Sequence, residues 1–206
     1  MKLSYILFFL LNFSLFSKPN LIVEDQKRKP ELILYGGMFV NADLMPIIVN
    51  GDISYRKSYI GVAAVNYPTK YKYKFVDFET EGQIAKHSGI MNHWEINGVI
   101  VGRVNNLFHT PISFGFGEGI SFATQNPVLE NQRKGFDRGA YNLEDIESRP
   151  LLNYLLIEFD YTLKRLDNEP KVFARIHHRS GIWGTFCPPN PPCGSNFLTY
   201  GVKIPF

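Results

Sequence analysis

The reading of the fold turns on residues 91–104, "MNHWEINGVIVGRV". Odd positions there carry His93, Glu95, Asn97 and Arg103, and even positions carry Trp94, Ile96, Ile100 and Val104. Successive side chains of a β-strand point to opposite faces, so the pattern is that of an extended strand with one polar and one apolar side. A helix would scatter the two sets around its circumference.

The same alternation recurs along the chain and defines eight segments, at 31–41, 57–66, 72–86, 91–104, 111–124, 151–162, 170–180 and 195–206. Short connections are expected at "YPTKY", "NLFHT" and "KRLDNE", a tight one at 87–90, and a long one at 125–150. Beyond the N-terminus no apolar stretch approaches the ~18 residues that a spanning helix needs, so any membrane crossing is made by strands. The even count and the alternating loop lengths predict an all-β fold: an eight-stranded antiparallel transmembrane β-barrel over 31–206. Both termini then lie on the periplasmic side of a bacterial outer membrane. The last segment, with Tyr200, Val202, Ile204 and Phe206 on one face, resembles the terminal signature of such barrels. The barrel assembly machinery that reads this signature is an expected partner.

The N-terminus fits export. "MKLSYILFFLLNFSLFS" has Lys2 ahead of an apolar run from Leu3 to Phe16, the layout of a signal peptide over 1–17 that is removed to leave a mature chain starting near Lys18. A membrane anchor is the alternative, but the run is short for it. Residues 18–30 form a periplasmic segment ahead of the barrel. Cys187 and Cys193, the only cysteines, flank "CPPNPPC"; a disulfide suits an oxidising compartment, with free thiols as the alternative. Net charge is only +3 with no basic stripe, so nucleic acid is not an expected partner. The glycines of "GFGEG" lie inside a strand pattern with no lysine or helix after them, and no zinc-finger spacing occurs, so neither cofactor nor metal is expected.

Parity sorts the charged residues. Glu79, Glu81, Glu95, Arg103, Glu158, Arg175 and His177 fall on the polar, inward faces. An eight-stranded barrel is just wide enough for side chains to fill, so these groups should pair into a structural network. Near the C-terminus, "RIHHRSG" breaks the pattern: His178 and Ser180 share the outward face with Val172, Ala174 and Ile176. Polar groups facing lipid are costly at mid-bilayer and cheaper near the head groups, so the pair should sit at the outer rim. An imidazole next to a hydroxyl is the base–nucleophile arrangement of acyl transfer, or else a hydrogen-bonded interfacial pair without chemistry. His87 and Ser88 are a weaker rival, because adjacent residues point to opposite faces. Loop 125–150 holds Arg133, Lys134 and Arg138, placed for lipid phosphates, amid acids that offset them, and a short helix near Leu143 to Ser148.

At His178-Arg179-Ser180 on the penultimate strand, the chain resembles the outer-membrane lipid A deacylases of the PagL type. These are acyloxyacyl hydrolases: eight-stranded barrels that use an outward His-x-Ser pair and a glutamate to remove an ester-linked acyl chain. The blocks "FETEGQIAKHSG", "GEGISFAT", "LLNYLLIEF" and "RIHHRSG" also resemble those of a set of exported bacterial barrels. The resemblance implies that Ser180 is the nucleophile, His178 the base, and lipid A or lipopolysaccharide of the outer leaflet the substrate. A non-catalytic barrel with an envelope-structural or surface-interaction role is the other reading. The acid departs from the family, since no Asp or Glu follows Glu169. Asn196, outward on the last strand, is one substitute as the group that orients His178. Glu118 is another: it shares outward parity with Phe116 and Ile120 unless a bulge turns it inward, but two strands, about 10 Å, separate it from His178.

Overall fold

Alternating side chains commit the segments to extended ladders, and the computed structural model closes them into a ring; residues 22–23, 28–130, 148–182, 185–187 and 193–206 are described. The strands are β1 (Glu31–Val40), β2 (Tyr55–Tyr73), β3 (Val76–Gly89), β4 (Trp94–Val104), β5 (Ile112–Ala123), β6 (Leu151–Thr162), β7 (Lys171–Ser180) and β8 (Gly194–Pro205). Each pairs antiparallel with its neighbour in sequence, and β8 returns to β1 with Glu31 opposite Pro205 and Val40 opposite Asn196. No edge is left unpaired among these strands, which is the condition for a sheet to face lipid. Ile22–Val23 adds a short rung against Lys72 and Tyr71.

The expected turn at "YPTKY" is instead strand. β2 continues through Pro68 to Tyr73, and the hairpin turns at Lys74 and Phe75. Pro68 faces Glu79 while Lys72 already faces Asp77, so the ladder absorbs extra residues in a bulge. Proline lacks the N–H a regular ladder needs, and a bulge is where a sheet accepts it; the Thr69 hydroxyl donates to the Phe78 carbonyl at 2.7 Å and supports the irregular backbone. The third strand correspondingly starts at Val76 rather than 72 and runs to Gly89, which moves the tight connection from 87–90 to 90–93. The signal peptide 1–17, the start near Lys18, and Arg133, Lys134 and Arg138 lie outside the described residues. Of the helix expected near Leu143, only Ser148 is described; it is not helical, and its hydroxyl donates to Glu130 at 2.5 Å.

The interior is filled by charged pairs. Arg175 reaches Glu81 at 2.6 Å and Glu158 at 2.6 Å. Arg103 contacts Glu79 at 2.9 Å, Glu158 at 2.9 Å and Asp160, and Lys203 meets Glu158. All these groups are buried. Ions this dry persist only when matched, because each unpaired one costs several kcal/mol. The outward set (Leu34, Ile84, Ile96, Ile100, Phe116, Val202 among them) is exposed and apolar, the belt a lipid-facing wall requires. At the end away from the termini, Tyr55, Tyr59, Trp94 and Phe122 lie near the strand ends and are exposed, as an interfacial aromatic girdle would be.

One element was not legible in the alternation. The β1–β2 connection forms helix α1 (Leu44–Asn50), with Pro46 in its first turn and Gly51 ending it in the left-handed conformation at φ 65°. Asn41 N–H donates to the Ser54 carbonyl at 2.6 Å and closes the base of the excursion. Ile47 and Ala42 cover Val40, and Ile176 and Leu198 pack against the same cluster. Because Val40, Ile176 and Leu198 are outward positions, α1 lies on the outside of the barrel. Its other side shows Met45, Ile48 and Val49 to the surroundings, an apolar face suited to the lipid interface.

Candidate active site

The hydrogen-bonded row Ile100–Glu118–Leu155–His178–Asn196–Val40 crosses six strands. Strand tilt carries it toward the rim, from Ile100 well inside β4 to Val40 at the end of β1. His178 and Asn196 are therefore neighbours on the outer wall close to the rim. Ser180 follows one step beyond His178 on the same face, about 7 Å along the strand.

Burial separates the two faces of "RIHHRS". Arg175, His177 and Arg179 are buried inside, whereas Ile176, His178 and Ser180 are half-buried outside. Half-burial on a lipid-facing wall has a local cause: α1 shelters Ile176 and Leu198, and its connection closes over Asn196, which is only 1% exposed. Asn196 Nδ2 donates to the Ala42 carbonyl at 2.7 Å. That carbonyl can only accept, so the amide orientation is fixed and Oδ1 is the atom turned to His178 Nδ1, at 2.7 Å. An acceptor at Nδ1 holds the proton there, and the neutral ring then carries its lone pair on Nε2. The Ser180 hydroxyl accepts from the Ile182 N–H at 3.2 Å, which leaves its own proton to be donated.

Glu118 stays on the outward face. The register runs unbroken from Ile100–Glu118 to Glu118–Leu155, and no bulge turns the side chain inward. Leu155 separates it from His178 in the row. Glu118 instead engages the side chain of Asn153, and Asn153 lies directly opposite Ser180. Glu118 also rims an outer-wall groove of about 560 Å³, floored where Gly82 and Gly98 face each other. Asn153 was missed in the sequence, although its parity with Leu155 and Ile157 marked it as a polar residue on the apolar face. His87 and Ser88 part company: the histidine is buried inside and the serine is exposed outside.

Cys187 and Cys193 are joined in a disulfide. The bridge packs with Phe186 on inward-facing Leu152, and Gly181 lies so close that a Cβ there would overlap the Cys187 sulfur. It thus caps the barrel interior immediately beside Ser180.

No protein-family model matches the chain, and no curated protein matches it. Among solved structures, the chain is similar to the outer membrane enzyme PagL at 12% identity, covering 85% of this chain and 99% of that one with a TM-score of 0.51. It is also similar to Neisserial surface protein A at 11% identity, covering 86% and 96%, with a TM-score of 0.46. At 12% identity the likeness to PagL is one of fold. The closed ring, its apolar outer belt and the fold it shares with PagL identify an eight-stranded β-barrel of the bacterial outer membrane.

Proposed function

We propose that the barrel is a serine esterase that hydrolyses an ester-linked acyl chain of an outer-leaflet lipid, lipid A foremost. Ser180 is the nucleophile, His178 the general base, and Asn196 the group that orients His178. The observation that carries this reading is the Asn196 amide held between the Ala42 carbonyl and His178 Nδ1, both at 2.7 Å. It leaves Nε2 as the basic nitrogen on the face that Ser180 shares. That PagL, a protein of the same fold, is named as an enzyme adds support.

In this reading Nε2 takes the Ser180 proton as Oγ attacks the ester carbonyl, and the imidazolium returns it to the departing alkoxide. Water then releases the fatty acid from the acyl-serine by the same route. Asn153, opposite Ser180, offers amide hydrogens toward the developing oxyanion. Glu118 acts on Asn153 and not on His178. The termini face the periplasm, so the site at the opposite rim meets outer-leaflet head groups, and the assembly machinery engages the strand ending at Phe206.

Purified protein mixed with lipid A in detergent micelles tests the proposal by mass spectrometry of the lipid. Wild type should remove one acyl chain, and Ser180→Ala and His178→Asn none. Folded wild type that leaves every chain in place would overturn it in favour of a barrel with a structural or surface-interaction role.

A further inference from the structure

Inside the same rim, three imidazoles gather around one carboxylate. His87 near the end of β3 and His93 just before β4 are brought together by their hairpin, where His87 N–H donates to the His93 carbonyl at 2.9 Å. Their rings stack at 4.1 Å between centroids. Glu95 lies against His87 Nε2 at 2.8 Å and His177 Nε2 at 2.9 Å. His177 is fully used, because its Nδ1 also meets the hydroxyls of Tyr35 at 3.0 Å and Tyr154 at 3.1 Å.

The other two rings are not. His93 is 3% exposed and His87 1%, yet both nitrogens of His93 and the Nδ1 of His87 have no hydrogen-bond partner. Buried polar groups are seldom left this way, since each costs roughly 1–3 kcal/mol, and an absent ion is one of the standard reasons for it. A ligand atom from each of His87, His93 and Glu95 lies within 4.8 Å of the other two. Because the two rings stack nearly parallel, ligation at the ~2.1 Å that nitrogen and oxygen ligands need around a zinc-sized ion requires side-chain rotations that open the stack and turn both ring lone pairs toward one point.

We propose that His87, His93 and Glu95 bind one divalent transition-metal ion of the zinc class, which ties the two arms of the β3–β4 hairpin together at the barrel mouth. Two neutral imidazoles and one carboxylate suit zinc and its neighbours, whereas calcium and magnesium take oxygen ligands. His177, hydrogen-bonded to Glu95, orients the carboxylate from behind. Arg179 is one nearby cation; it is committed to Glu130 at 2.7 Å and stands 4.0 Å from Glu95. The two cysteines are bridged and offer no competing thiolate.

The test is zinc titration of the full chain, folded in detergent and freed of metal with a chelator, followed by competition with a chromophoric chelator. Wild type should bind one zinc per chain and unfold at higher urea when loaded. His93→Ala should weaken binding on the order of a hundredfold or more and still show the gel mobility of a folded barrel, since its ring makes no hydrogen bond to lose. His109→Ala, at the opposite end, should bind as wild type does. Wild type that binds no stoichiometric zinc, or His93→Ala that binds it equally well, would overturn the proposal.

Discussion

Replacing Asn196 with alanine deletes two hydrogen bonds of 2.7 Å at once, one to His178 Nδ1 and one to the Ala42 carbonyl. The first matters most when the imidazole becomes charged in the transition state, where a hydrogen bond to an ion contributes about 1.5–3 kcal/mol. At tenfold per ~1.4 kcal/mol this predicts a fall in ester hydrolysis of about 10- to 150-fold, against the complete loss expected of Ser180→Ala. The second loss leaves a buried carbonyl unpaired, about 1–3 kcal/mol, and it falls on the docking of residues 41–54. Initial rates on a micellar ester read the first effect, and limited proteolysis of the 41–54 segment reads the second. Asn196→Asp separates them: it restores an acceptor for His178 but sets a lone pair against the Ala42 carbonyl, so cleavage should rise as in the alanine variant while the rate exceeds it. A rate for Asn196→Ala within twofold of wild type, with the segment still protected, would refute the orienting role.

Arg175→Met leaves Glu81 buried without its cation, while Glu158 keeps Arg103 and Lys203, and should cost about 3–5 kcal/mol; the urea midpoint of the folded-barrel gel band measures it, and an unchanged midpoint would contradict a matched interior. Glu118→Gln keeps the shape of a side chain that touches Asn153 rather than His178, so hydrolysis should fall by no more than about threefold, or about 0.7 kcal/mol. A loss like that of Ser180→Ala would make Glu118 a direct participant.

Strand identity was legible because the two-residue period leaves no freedom: "HWEINGVIVGRV" places Glu95, Asn97 and Arg103 inside and Trp94, Ile96 and Ile100 outside. The length of β2 was not, because a proline reads as a stop and the bulge that carries the ladder past Pro68 depends on contacts with Phe78 and Asp77. Helix α1 was hidden for another reason. "LMPIIVN" has no polar face to betray an amphipathic helix, and its place on the outer wall follows from packing on Val40, Ile176 and Leu198. That docking is also what fixes the Asn196 amide, so parity placed Asn196 beside His178 but could not say which atom faced it. The His87–His93–Glu95 cluster was likewise out of reach, since only the hairpin register sets its rings together.

The proposed nucleophile is open to one direct measurement. A lipophilic fluorophosphonate, which phosphonylates serines only when a base withdraws their proton, is incubated with the folded barrel in detergent and read by intact-mass and peptide mass spectrometry. One adduct per chain is predicted, located on Ser180, absent in Ser180→Ala and strongly slowed in His178→Asn. Folded wild-type protein that gains no mass, or carries the adduct on another serine, would contradict an esterase built on Ser180 and His178.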